Sequence, residues 1–212
     1  MHRSDILSAI EEHVRHASEI NLARYAQESA YVSAFIGRLD GKIPIGNGNV
    51  EFSLIGTIVN DRGPGAAEKE FGADFCLVFE SKNIPSKIKK GILAQAKKGT
   101  IESLSRNELS RLEGQCIKMS KYTKHYFILE TPSSENAIPK IRIGTNKNGY
   151  WKEDSIPFHE YLVDNIIACT HGDKRPSFID SLSDSSLSRL TVRTDRLTFE
   201  PDPPSNMIGM SF

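Results

Sequence analysis

Asp74 stands at the head of a nearly continuous apolar run that ends at Phe79, and Gln95-Ala96-Lys97 closes a second run that begins at Ile92. If the two runs are neighbouring strands, Gln95 and Lys97, two residues apart, point to one side of the sheet and Asp74 can face them. A carboxylate with an amide or main-chain carbonyl oxygen suits a hard cation such as Mg2+ or Mn2+, which takes oxygen ligands and keeps several waters. Asp74 is then the anionic ligand, with Gln95 or the Ala96 carbonyl completing the shell. An ammonium placed there can orient an attacking water or stabilise a developing negative charge, which is the task open to Lys97. Each residue also has a plainer use on its own: Asp74 in a turn after Gly72 and Ala73, Lys97 at the exposed end of an edge strand.

The elements needed to position these residues can be read from spacing. Ile6, Leu7, Ile10 and Val14 predict a first helix from about Ser4. A second helix is predicted from about Asn21 to Leu39, where Tyr25, Val32, Phe35 and Leu39 share a face and Glu28 falls on the same stripe. After turns at Asp40-Gly41 and 46–49, alternation from Val50 to Ile58 predicts a half-buried strand. A Gly- and Pro-rich stretch from Asn60 to Gly72 leads into the strand of Asp74 to Phe79, which is apolar on both faces. A Lys-rich loop with Asn83 and Pro85 then separates it from a strand at Ile92 to Lys97. Ser105 and Glu108 form a capping-box signature for a helix to about Ser120, with Leu109, Leu112, Cys116 and Met119 at helical spacing. Strands follow at His125 to Leu129 and Ile138 to Ile143, and then a helix from about Pro157, capped by Ser155, to near Gly172. Residues 1–179 form one α/β domain in this reading, a central mixed sheet flanked by helices. From Asp180 to Phe212 a Ser- and Pro-rich tail is expected, with one edge strand at Leu190 to Val192.

The order of these elements is helix with an embedded carboxylate, strand, Asp-bearing strand, Gln-x-Lys strand, helix, strand. With Glu68-Lys-Glu-Phe-Gly-Ala-Asp74, Gln95-Ala96-Lys97 and Gln115 on the next helix, it resembles the PD-(D/E)xK nuclease superfamily in its Gln-x-Lys variant. The resemblance spans about residues 20 to 130. It implies a restriction-endonuclease-like fold, a Mg2+- or Mn2+-dependent endonuclease acting on DNA, and a role in bacterial restriction or anti-phage defence. Its catalytic set falls on Asp74, Gln95, Lys97, Glu68 and Glu28, with Asp74, Glu68, Gln95 and Ala96 as metal ligands. The neutral Gln95 departs from the usual acid at its position, so another carboxylate must supply charge; the resemblance favours Glu68 and Glu28, with Glu70 left open beside Glu68.

Composition narrows the partners. The formal net charge is zero, so attraction to a polyanion must be local. Six lysines and no Asp or Glu lie between Ser81 and Ile101, and Lys87, Lys89, Lys90 and Lys98 are the expected phosphate contacts. No run approaches the ~20 apolar residues of a membrane span, and the first residues lack an apolar leader. A cytoplasmic protein is expected. Three widely spaced cysteines suit reduced, buried thiols better than a disulfide framework. With no helix-turn-helix or finger pattern, specificity would come from a homodimer or a larger defence complex. The competing readings are RNA as substrate and a catalytically inactive relative that binds nucleic acid or protein.

Overall fold

Ile6, Ile10, Val14 and Ala17 recur every three or four residues and form the buried stripe of α1 (Arg3–Ala17). The computed structural model describes residues 2–25, 27–45, 50–59, 67–82, 87–145 and 150–195. The turn at 46–49, most of the stretch from Asn60, the residues Asn83 and Pro85, and the Pro-rich segment 196–212 lie outside them.

The second helix, α2, runs over Glu28–Leu39 and starts later than its periodicity suggests. The reason is local. The Asn21 side chain accepts hydrogen bonds from the backbone N–H of Ala23 (3.1 Å) and Arg24 (3.3 Å), which holds residues 21–24 in a turn. Glu28 is therefore the first residue of α2 and not a mid-helix position on the apolar stripe.

Among the described residues the sheet has eight strands. They are β1 (Gly41–Ile45), β2 (Val50–Thr57), β3 (Phe75–Ser81), β4 (Ile88–Lys98), β5 (Tyr126–Thr131), β6 (Lys140–Ile143), β7 (Ile156–Pro157) and β8 (Ser188–Asp195). Their spatial order is β1-β2-β8-β3-β4-β5-β6-β7. The β3–β8 and β4–β5 pairs are parallel and the others antiparallel, so the sheet is mixed. Pro44, which has no N–H for a ladder, lies in β1, at the edge.

Helices cover both faces, and the chain is α/β as its spacing predicts. On β3, Phe75, Leu77 and Phe79 pack into the core shared with α1 and α2, while Cys76 and Val78 enter a second core on the opposite face. The second core is closed by α4 (Arg106–Tyr122), by Phe71 of the short α3 (Ala67–Phe71), and by Phe178 and Leu182 of α6 (Pro176–Asp184). The predicted capping box starts α4: the Glu108 carboxylate accepts from Ser105 N–H at 2.9 Å and Ser105 Oγ accepts from Glu108 N–H at 3.4 Å. Cys76 and Cys116 are buried, and burial pushes both thiols up to about 12, so they are inert as nucleophiles near neutral pH. Cys169 is only partly buried.

Two expectations need correction. The helix predicted from Pro157 to Gly172 is instead α5 (Phe158–Tyr161) running into a single π-helical stretch, Leu162–Ile167, with Pro157 in β7 and no Ser155 cap. Second, the strand around Leu190 to Val192 is not at an edge. It is eight residues long and lies between β2 and β3, bonded on both sides. Residues 176–195 thus belong to the sheet and its covering layer, and the boundary drawn at 180 cuts through α6. Its Ser-rich composition hides the alternation: Ser188, Leu190, Val192 and Thr194 are buried and the residues between them half-buried.

Candidate active site

β3 and β4 pair antiparallel with Phe75 opposite Ala94, which sets Asp74 across from Gln95. Asp74 extends the ladder by donating its N–H to Ala94 O at 2.8 Å. Its Oδ2 accepts from Ala96 N–H at 2.7 Å and from Gln95 Nε2 at 2.5 Å. The carboxylate is held against β4 by two donors, one of them main chain. Gly72, just upstream, has φ +72°, and a Cβ there would lie 2.7 Å from Gln115 O on α4. Glycine is what lets the loop carrying Asp74 lie against that helix.

Lys97 is two residues beyond Gln95 and is 6% exposed. Its Nζ lies 3.2 Å from Glu28 Oε2, while Glu28 Oε1 accepts from Lys98 N–H at 3.1 Å. The Glu28 carboxylate therefore bridges the side chain and the backbone at the end of β4. Its place at the start of α2 is electrostatically favourable, because the exposed N–H groups there carry partial positive charge. Four of the residues singled out in the sequence, Glu28, Asp74, Gln95 and Lys97, are thus gathered at one end of the β3–β4 pair, with the Ala96 backbone between them.

Three acceptor oxygens in this region are buried without a hydrogen-bond partner among the described residues: Gln95 Oε1, Gln115 Oε1 and Glu130 Oε2. Turning over the Gln95 amide exchanges its oxygen and nitrogen, so the side chain can present an oxygen beside Asp74. Glu68 lies on α3, but its side chain is outside the described residues. Glu70 is exposed and meets the Tyr122 hydroxyl at 3.5 Å. Among the described residues no three His, Cys, Asp or Glu side chains converge as a metal-binding group.

Glu130 was not visible as a site neighbour in the sequence. It is in register with Lys97 on the parallel strand β5 and is 4% exposed. Its Oε1 accepts from Arg142 Nε at 2.7 Å and from Ile101 N–H at 2.9 Å. Arg142 in turn reaches Glu102 at 2.5 Å and the Glu153 carbonyl. This network pins the single 3-10 turn Ile101–Ser103 that follows β4. The only hint in the sequence is an acid closing an otherwise apolar strand.

The lysines separate. β4 starts at Ile88, so Lys89 and Lys90 are strand residues and alternate in exposure. Lys90 is fully buried: its Nζ donates to Ile166 O at 2.7 Å and lies 5.1 Å from the centre of the Phe79 ring. Burial lowers its pKa to about 8. It is a structural cation on the carbonyls that end the π-helical stretch, and not the phosphate contact that the run of lysines suggests. Lys87 and Lys89 are exposed, but Lys89 lies eight residues before Lys97, about 26 Å along the strand. Lys89 is also within 3.5 Å of Glu80. Only Lys98, exposed and beside Glu28, borders the site.

Comparison of the chain with family models, with curated proteins and with solved structures finds no match. Among the described residues no helix is long and apolar enough to cross a membrane.

Proposed function

We propose that the chain is a divalent-metal-dependent endonuclease of the PD-(D/E)xK kind, acting on DNA in restriction or anti-phage defence. The observation that carries this reading is the convergence of Asp74, Gln95 and Lys97, with Glu28 clamping Lys97, at one end of two adjacent strands. The sequence α2, β2, β3, β4, α4, β5 supports it, although β8 is inserted between β2 and β3.

Asp74, the Gln95 amide oxygen and the Ala96 carbonyl would hold Mg2+ or Mn2+, with Glu68 a further candidate. The unpartnered Gln95 oxygen fits that use, and a set with one carboxylate and neutral oxygens suits an ion that keeps most of its waters. When bound, the ion supplies charge neutralisation on the phosphate and a more acidic water. Lys97 would donate a hydrogen bond from Nζ to an oxygen of the phosphate or of the attacking water, and Glu28 fixes where that nitrogen stands. Removing the anionic ligand should show directly in binding: Asp74→Asn is expected to lose measurable Mn2+ affinity by calorimetry. Affinity equal to that of the wild type would remove Asp74 from the ligand set.

One observation favours a second reading, an inactive relative that binds nucleic acid. Glu28 is engaged by Lys97 and the described residues hold no three-acid cluster. Incubation with plasmid, linear duplex, single-stranded DNA and RNA, in Mg2+ or EDTA, separates the readings; cleavage of RNA alone would replace DNA as the substrate.

Phosphate contact is assigned to Lys98. Lys98→Ala should flatten the slope of log affinity against log salt by about one unit. Lys87→Ala with Lys89→Ala should leave it unchanged, and the reverse pattern would move the DNA path to the far end of the sheet.

A further inference from the structure

Next to the Glu28–Lys97 pair opens a cleft of about 290 Å³. Leu22 and Tyr25 from the turn before α2, Tyr31 from α2, and Pro132 after β5 form its apolar walls, while Glu28 and Lys98 belong to both cleft and site. Three features point to one class of ligand. Tyr25 is 38% exposed, a large ring left open to solvent. Tyr31 is 2% exposed, yet its hydroxyl has no hydrogen-bond partner among the described residues, a costly arrangement unless something in the cleft completes it. Thr131 and Ser133 add polar groups beside Pro132.

We propose that this cleft receives one unpaired nucleobase of a strand whose adjoining phosphate lies at Lys98. The proposal rests on the nuclease reading of the neighbouring site and adds a substrate class to it: single-stranded or locally opened nucleic acid. A flat ring with polar edges matches apolar and aromatic walls that carry a few hydrogen-bonding groups. A paired base inside a duplex shows only its edge and cannot enter, so the base must be unstacked first. The cation at the rim and the apolar interior are ordered as a nucleotide is, phosphate outside and base within.

The test uses binding in EDTA, so that affinity is measured without cleavage, with a single-stranded DNA of about 12 nucleotides. Fluorescence anisotropy compares the intact strand, a set of strands each carrying one abasic position, and the matching duplex. The intact strand is expected to bind more tightly than the duplex, and one abasic position to weaken binding by on the order of tenfold. Tyr25→Ala should give a similar loss on the intact strand and little more on that abasic strand, since both remove one contact. Tyr31→Phe keeps the wall and should reduce discrimination among the four bases at that position. Equal binding of all abasic strands, or a duplex that binds as well as the single strand, overturns the proposal, as does failure of the single strand to bind. If abasic sensitivity is found but no substrate is cut with any metal, the cleft assignment stands and the nuclease reading fails. If substrate is cut and abasic sensitivity is absent, the cleft assignment alone fails.

Discussion

Purified Lys97→Ala is expected to bind nucleic acid about as well as the wild-type chain and to cut it roughly 10²–10³-fold more slowly, the usual cost of removing one donor to a developing charge. The side chain is almost enclosed, and its amine rests 3.2 Å from Glu28. It is therefore already fixed before substrate arrives, which is what a contribution confined to the transition state requires. Loss of the lysine leaves Glu28 on Lys98 N–H and at the head of α2, so folding should survive. Cleavage rates under single-turnover conditions, set beside affinities measured in EDTA, distinguish this from a purely structural pair. Cutting at the wild-type rate by Lys97→Ala would end the assignment.

Arg142→Met should destabilise the fold by about 3–5 kcal/mol, because it leaves the Glu130 carboxylate buried with its charged partner gone. The side chains of Arg142 and Glu130 are 8% and 3% exposed, so water cannot readily take over. Urea unfolding measures the loss. The paired replacement Arg142→Met with Glu130→Leu should recover much of it, since the penalty belongs to the stranded charge. A loss below about 1 kcal/mol for the single change would mean that Glu130 finds another partner. Because Glu130 also holds Ile101 N–H just beyond Lys98, the single variant should lower cleavage at temperatures where it is still folded.

The parts of the molecule that were legible in sequence are those governed by neighbours in the chain. The double-faced burial of Phe75 to Phe79, the Ser105–Glu108 cap and the shared side of Gln95 and Lys97 all follow from periods of two or from a four-residue motif. Errors arise where distant residues decide. Nothing near Lys90 announces that the carbonyls of Asn165 and Ile166 wait for it, so a lysine among lysines reads as a surface charge. Glu130 needs Arg142 from the adjacent strand, and β8 takes its central place between β2 and β3, both far from it in the chain. The start of α2 departs from the helical spacing for a smaller reason: Asn21 diverts the backbone into a turn that this spacing does not register.

The insertion of β8 also bears on the order in which the chain can fold as it is made. Asp74, Gln95 and Lys97 are synthesised before β8, and β3 bonds on one side to that strand, about 110 residues later in the chain. Until Ser188 to Asp195 have emerged, β2 and β3 each present an open row of N–H and C=O groups, the kind of surface that recruits other strands. The candidate catalytic residues thus emerge from synthesis before the sheet that positions them is complete. The sheet is closed only once β8 has paired with β2 on one side and β3 on the other.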